Sequence, residues 1–525
     1  MSRLALALAA LGATFALAAT PALADHTQVS VFQDDVHLID SGPAVAQHSM
    51  ALLHSLGVEQ IRVNLEWYTV APDPLSYQAP QGFNATDPND YPPGVWAPYD
   101  RLVQLAAAYG MKVEFNLTAP GPLWAMGHHP PTARAANHWY PSPLQFFEFV
   151  YAVGTRYSGQ ASEQPRVDTW SIWNEPNQPG WLAPQWAKIK RHWVRESPRL
   201  YRELVDYAWY GLLYSGHLDA ADTILIGETA PEGYETRGSY TAMTPLPFLR
   251  QVYCVDGRGR PLRGTAAKTV GCPTKGPVKN FVGQNPLLFT ATGFAHHPYY
   301  FFHPPWYGGG DANFVPLARI GRLERFLDGT FRTYGVRRKI PLYFTEYGYQ
   351  TNPPDPYQVV SPDQQAAYLN DADYVAWRNS RVRSVAQFLL FDSPPDPRYK
   401  PGQFGYWDTF QTGVLYASGK PKPSYYSYRM PIWIPHPRSR PGQLMFVWGQ
   451  VRPADQLASQ PVSVEWRPAS RGGRYRQVAV AHTVADTGYL TVRVPVRGTG
   501  YVKLAWRSPS GQVLHSRAVA VTLQP

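Results

Sequence analysis

Charge and cysteine are both scarce in this sequence. Only 16% of the 525 residues are charged while 44% are hydrophobic, so the chain can bury a large core and lacks the composition of a disordered tail. Two isolated cysteines argue against a zinc site. No collagen or coiled-coil period runs through it, and no glycine-rich dinucleotide fingerprint follows the first strand candidate. A G-x-S-x-G elbow is absent, which argues against a serine hydrolase, and no H-E-x-x-H spacing pairs histidines for zinc. Beyond the first residues no run is long and apolar enough to cross a bilayer. What is plentiful is ring and turn. With 42 Gly and 52 Pro the chain carries many ordered loops, and 17 Trp with 34 Tyr exceed what a core alone needs. Such rings suit a surface that stacks on flat apolar ligand faces.

Residues 1–24 open with Arg3, continue through an apolar run from Leu4 to Ala19, and end in Ala22-Leu23-Ala24. The small-residue ending predicts a secretory signal peptide cleaved near Ala24, with an uncleaved membrane anchor as the rival reading. The mature protein is expected to be soluble and secreted, extracellular or in the cell envelope. In such an oxidising compartment Cys254 and Cys272, 18 positions apart in a polar stretch, are expected to form one disulfide.

From Val29 to Ile434 short β-branched or apolar runs alternate with longer helical stretches. Eight strand candidates occur at 29–32, 60–65, 112–117, 167–173, 223–227, 292–296, 342–345 and 384–391. Helical stretches at 44–56, 99–109, 144–157, 200–213, 315–334 and 362–377 fall between them. Eightfold alternation over this length predicts an α/β fold, a closed parallel (β/α)8 or TIM barrel over 25–434, with an open doubly wound sheet as the rival. After Ile434 the texture changes to short alternating runs at 443–448, 462–466, 475–484, 489–496, 501–506 and 518–523. These predict a small all-β immunoglobulin-like sandwich over 435–525, joined by a proline-rich linker at 431–441.

This last segment holds most of the formal net charge of +10, with twelve basic residues against three acidic ones between Pro431 and Pro525. It reads either as a plain solvated face or as a surface for an anionic polysaccharide or cell surface. An exported chain without a reading motif is not expected to bind nucleic acid.

The strongest chemical signal is Trp173-Asn174-Glu175-Pro176-Asn177, at the end of the fourth strand candidate. The second is Thr345-Glu346-Tyr347-Gly348, at the end of the seventh. Strands four and seven face each other across a barrel mouth, at the carboxyl ends where barrel active sites gather, so two carboxylates would converge over one cleft. With these motifs the chain resembles the retaining glycoside hydrolases of clan A, cellulase-like barrel enzymes, and is closest in style to families five and thirty-nine. The resemblance implies Glu175 as acid/base and Glu346 as nucleophile. It also implies that Arg62 of Ile61-Arg62-Val63 supports the nucleophile, and that His297 and Tyr299 of His296-His297-Pro298-Tyr299 match the strand-six histidine and tyrosine of family five; His297 is read as a sugar contact, with a core role as the rival. The run from Tyr406-Trp407 to Lys422-Pro423 is similar to the segment after the last strand of these enzymes. Where family five places a tryptophan under the sugar this chain has Phe391.

The chemistry needs two acids. Cleaving a glycosidic bond requires one carboxyl to protonate the departing oxygen while another attacks the anomeric carbon, and a separation of about 5 to 5.5 Å yields retention. Asn174 is expected on the hydroxyl beside the reacting carbon. Trp67, Trp124, Trp181, Trp306 and Trp407, in or beside mouth loops, read as sugar-stacking platforms or as packing residues. Glu66, Glu114, Glu228 and Glu232 also end or follow strand candidates, and read as surface or ion-pair residues. Neither His128-His129 nor His296-His297 has metal-ligand spacing, so no metal and no cofactor is expected. The expected partner is a carbohydrate, and nothing in the sequence sets an oligomeric state. Two further readings share these residues: a catalytically inactive carbohydrate-binding or cell-wall protein, and a transglycosylase.

Overall fold

Polar and apolar residues alternate through Gln60–Glu66 and Lys112–Thr118, and the alternation sorts them onto two faces. Ile61, Val63, Leu65, Val113, Phe115 and Leu117 enter the main apolar core. On the opposite face Arg62 pairs with Glu114 and Asn116 donates to Asn64 at 2.8 Å. The computed structural model describes residues 27–524 except 161, 190, 358–359, 436, 455–456 and 496. The expected signal segment, residues 1–24, lies outside the described residues.

Eight parallel strands close a barrel: β1 (Val29–Gln33), β2 (Gln60–Glu66), β3 (Lys112–Thr118), β4 (Thr169–Ile172), β5 (Thr223–Thr229), β6 (Gly293–His296), β7 (Leu342–Tyr347) and β8 (Val382–Phe388). β1 pairs with both β2 and β8, so the sheet has no free edge and the open-sheet rival is excluded. All eight strand candidates fall on these strands. Their helices start as the sequence dictates: Ser361 caps Pro362–Trp377 reciprocally with Gln364, with proline at the first turn.

Two insertions shape the mouth. A hairpin of Trp186–Ile189 and His192–Arg195, not anticipated from sequence, follows β4. After β5 comes a long excursion of short helices, in which Cys254 and Cys272 form the disulfide.

The C-terminal region is a two-layer β-sandwich. One sheet holds Ile432–Trp433, Leu444–Gln450 and Tyr489–Pro495, the other Arg438–Ser439, Val519–Leu523, Gly500–Arg507, Pro461–Pro468 and Arg476–His482, with Val513–His515 on Gly500–Arg507. Val447 and Leu490 from the first meet Val464 and Leu504 from the second in one core. The proline-rich stretch is not a free linker. Met430 and Ile432 already belong to the sandwich core, and Ile432–Trp433 pairs with Leu444–Gln450, because their apolar side chains find a sheet face to cover.

The sandwich is seated on the barrel by rings. Tyr374 and Trp377 of the helix after β7 pack with Trp448 and Tyr489, and Trp433 stacks on Tyr374 at 3.5 Å between centroids. Arg452 donates to the Tyr428 carbonyl at 2.8 Å and faces Asp373 at 3.6 Å, while Arg517 donates to Asn370 at 3.1 Å. Two of the twelve basic residues are therefore used at this seam and are not part of an outer face. No helix among the described residues is long and apolar enough to cross a membrane.

Candidate active site

Arg62 is the centre of the buried polar interior. It projects from β2 with no solvent exposure, and Nη1 donates to Gln33 and, at 3.0 Å, to Glu346 Oε1. Nη2 donates to Asn174 Oδ1 at 2.9 Å and to Glu228 Oε2 at 3.1 Å, while Nε faces Glu114 at 3.6 Å. Burial alone would favour its neutral form, but the surrounding carboxylates hold it charged.

Glu346 ends β7 and Glu175 follows β4 by three residues. Both reach His297 Nδ1, Glu175 Oε1 at 2.9 Å and Glu346 Oε2 at 3.5 Å. Each offers an oxygen within 4.8 Å of the other. Tyr299 donates to Glu346 Oε2 at 3.3 Å. The backbone that delivers Glu175 is unusual: Trp173 has φ 65° and Glu175 φ 36°, left-handed values that L-residues with large side chains rarely hold. Asn177 pins this turn, donating to the carbonyls of Ala230 and Met243 and accepting from the Ala230 amide. Asn174 is fixed from three sides: its amide N–H donates to Thr118 Oγ1, and its Oδ1 accepts from Arg62 and Asn116. Its side-chain nitrogen is the polar atom left for the cleft.

Behind the pair lies Glu228, which β5 delivers through an irregularity. Register with β6 shifts between Ile226 and Thr229, where Gly227 has φ 109° and Glu228 φ 43°. A Cβ on Gly227 would stand 2.6 Å from the Ala295 carbonyl oxygen. Glu228 Oε2 accepts from His297 Nε2 at 2.7 Å, from Thr345 Oγ1 at 2.8 Å and from Arg62. Burial would raise its pKa, but Arg62 and His297 outweigh that and hold it down at about 2. His297 is the converse: burial would lower its pKa, and the charge of Glu346 with bonds to Glu175 and Glu228 pushes it up to about 10. Glu346 itself is raised, its loss of water outweighing the attraction of His297 and Arg62. Glu114, deeper in the barrel, is pushed up to about 8 by burial despite Arg62.

Glu175, His297 and Glu346 bring three ligand-type atoms together. Both ring nitrogens of His297 face carboxylates, however, an environment that favours a proton on each, with the pKa pushed up to about 10, and a doubly protonated ring has no lone pair to give a metal ion. The arrangement is a hydrogen-bonded ion network suited to proton transfer and nucleophilic attack.

The two glutamates open onto a cavity of about 630 Å³. Trp181, Tyr234, Phe301 and Phe388 give it aromatic walls, and Asp35, Asp40, Glu66 and Glu232 add carboxylates. Among the described residues no lysine, arginine or histidine lines it. Burial pushes Asp35 up to about 6, and burial with the nearby Asp35 and Asp40 charges pushes Glu66 up to about 7.

Of the sequence-predicted residues, Glu175, Glu346, Asn174, Tyr299 and Trp181 line the cleft, and Arg62 stands behind it. His297 corrects the expectation of a sugar contact: it has no exposed surface and is absent from the lining, being enclosed by the carboxylates it bridges. Four ring assignments are also corrected. Trp67 is fully buried and stacked on Phe149 at 5.4 Å, and Trp124 packs edge-on against Trp67. Trp306 is 57% exposed but meets Tyr368 away from the cleft, and Phe391 is buried in a stack with His37 at 4.3 Å. Sequence reasoning missed Glu228 and Gln33, although Glu228 was among the strand-end glutamates.

No protein-family model and no curated protein matches the chain. Among solved structures it is similar to the GH5_18 protein of Streptomyces cattleya in complex with GlcNAc, at 13% identity and TM-score 0.44, covering 77% of this chain and 78% of that one. It is also similar to a GH30 endoxylanase of Clostridium papyrosolvens C71, at 9% identity and TM-score 0.43, covering 91% and 96%. A third, the GH5_18 protein of Bifidobacterium longum subsp. longum, has 12% identity, TM-score 0.42 and coverage of 76% and 77%. Likeness this distant leaves function to be read from the site itself.

Proposed function

We propose that this chain is a retaining glycoside hydrolase of clan A type, cleaving O-glycosidic bonds by double displacement. The observation that carries the reading is the convergence of Glu175 and Glu346, from opposite sides of the barrel mouth, on one nitrogen of His297 at the floor of an aromatic-walled cleft. Oxygens within 4.8 Å of each other support the short carboxyl separation of retaining enzymes over the wider spacing, about 6.5–9.5 Å, of inverting ones.

In the first step the ionised Glu346 attacks the anomeric carbon, the glycosidic C–O bond breaks, and Glu175 gives its proton to the leaving oxygen. Arg62 and Tyr299 hold the attacking carboxylate in place. In the second step Glu175, now a base, takes a proton from water, whose oxygen attacks the same carbon and frees Glu346. The Asn174 amide is placed to bind the hydroxyl beside that carbon. With four further carboxylates and no basic side chain among the described residues of its walls, the cleft suits uncharged or amino-bearing sugars and repels uronates. Secretion is part of the proposal, and the Cys254–Cys272 disulfide supports an oxidising destination.

A hydrolysis screen over aryl glycosides and polysaccharides, with NMR of the first-formed anomer, tests this. Retained configuration is expected, with turnover abolished in Glu346→Gln and external azide restoring part of it in Glu175→Ala. Release of the opposite anomer, or unchanged turnover in Glu346→Gln, would refute it. Product analysis with added acceptor sugars separates hydrolysis from transglycosylation.

A further inference from the structure

Three carboxylates surround His297, and only two of them belong to the reacting pair. Nδ1 serves Glu175 and lies 3.5 Å from Glu346, while Nε2 donates to Glu228, a group with no exposed surface and no access to the cleft. We propose that Glu228 is a positioning residue that keeps His297 an imidazolium and thereby keeps the buried cluster electrically neutral in both halves of the reaction. The inference rests on the reading of Glu175 and Glu346 as the reacting pair.

Charge counting leads there. In direct contact are two cations, Arg62 and His297, and the carboxylates Glu228, Glu346 and Glu175. Glu114 carries its proton at neutral pH, its pKa standing at about 8. With Glu228 and Glu346 ionised, the cluster is neutral when Glu175 holds one proton, the state that the first step requires. Once Glu346 is esterified it loses its charge, and the cluster is again neutral with Glu175 ionised, the state that the second step requires. A buried site avoids the cost of net charge in both states, so the proton moves at constant burial energy. Without the Glu228 charge the two cations would face a single anion, and the excess would be shed from His297 or from the Glu175 carboxyl on its Nδ1, either of which removes the proton arrangement that the first step requires.

The other groups facing His297 do not replace Glu228 through both steps. Glu346 contributes most while it is ionised, but it is neutral once esterified, and Glu175 is neutral while it holds the proton, so only Glu228 keeps its charge in both halves of the reaction. Arg62 and Tyr299 supply no negative charge at working pH. His296, beside it on β6, is neutral: burial brings it down to about 4, and its ring atoms are engaged by Thr229 and the Val315 carbonyl. Thr345 fixes the acceptor oxygen by donating to it at 2.8 Å.

The test is a pH titration of His297 by NMR on protein labelled at histidine with nitrogen-15, the resonance assigned by its loss in His297→Gln. In the unaltered protein the ring is expected to stay doubly protonated to pH 9. In Glu228→Gln it should deprotonate at least two pH units lower, with a new limb in the kcat/KM profile at that pH. There kcat should fall at least tenfold with KM changed less than threefold, and Glu228→Asp should restore most of the titration and rate. A neutral His297 at pH 7 in the unaltered protein, a measurement that needs no variant, would overturn the proposal. An unchanged His297 titration in Glu228→Gln would do so too. Absence of turnover on every glycoside would defeat the catalytic reading alone, since the titration still decides whether Glu228 holds the charge.

Discussion

Burial lifts Glu346 above the ordinary carboxylate range, because the loss of water outweighs the pull of His297 and Arg62. The nucleophile must be ionised, so the fraction of active enzyme falls as protons return to Glu346. A raised pKa moves that fall to higher pH. The acid limb of kcat/KM is therefore expected above the usual glutamate value of about 4.3, and a limb at or below it in a pH–rate series would contradict the assignment. Arg62→Met removes the guanidinium that touches Glu346, Glu228 and Asn174 at once. The loss of a buried partner for two carboxylates is expected to cost about 3–5 kcal/mol of stability, measured by denaturant titration, and to move the acid limb further upward. At this scale the sequence spoke through short motifs. Glu175 and Glu346 stood out because a strand end and particular neighbours are local features. The rings did not, because an aromatic after a strand end reads the same whether it faces the mouth or turns inward. For Trp67 the deciding contact is with Phe149, on a helix some eighty positions away.

The barrel strands and most of the longer helices were legible, since period-two alternation and proline or serine starts are written within each segment, whereas the hairpin after β4 and the short helices after β5 were not, and the helix expected from 315 starts at Gly321. What the alternation also carried, and was not used for, is the polar face of β2 and β3: Gln60, Arg62, Asn64 and Glu66 run beside Lys112, Glu114, Asn116 and Thr118 in register. Polar residues at every second position of two adjacent central strands mark an interior built for charge. Glu228 escaped because β5 is irregular, and a register shift at a glycine is set by the neighbouring strand. That irregularity is testable. Gly227→Ala puts a methyl group 2.6 Å from the Ala295 carbonyl at φ 109°, so it should destabilise by more than about 1 kcal/mol and displace Glu228, lowering kcat more than the loss of stability alone predicts. A second element-level prediction concerns the loop after β8. Lys422 is fully buried and donates to Asp392 at 2.7 Å, Thr351 at 2.9 Å and the Gln411 carbonyl at 3.1 Å, tying together the loops that carry Phe410 and Thr412 to the cleft. Lys422→Met leaves Asp392 buried without its cation and is expected to cost about 3–5 kcal/mol, read as a lowered melting temperature.

Across the whole molecule the charge is divided: a chain of net +10 carries an acidic cleft with no basic side chain among the described residues of its lining. A uronate bound there would meet the carboxylates of Asp35, Asp40, Glu66 and Glu232 wherever these are ionised, most fully above pH 7, where Glu66 loses its proton, and a repulsion of about 1–4 kcal/mol at contact distance corresponds to tenfold or more in rate. Oligosaccharides with a uronic acid in the cleft should therefore show at least tenfold lower kcat/KM than their neutral counterparts, and the gap should shrink in Glu66→Gln with Asp40→Asn. The sandwich contributes differently. Its aromatic seam joins Tyr374 and Trp377 of the barrel to Trp433, Trp448 and Tyr489, and Trp448 has no exposed surface. These rings form an apolar cluster of their own, separate from the barrel core and the sandwich core and built from residues of both parts, so neither part can unfold without uncovering it. Calorimetry should show one transition for the full chain. Trp448→Ala is expected to cost about 3–5 kcal/mol and to split that transition into two. Two separate transitions in the unaltered protein would mean that the seam does not couple the barrel to the sandwich.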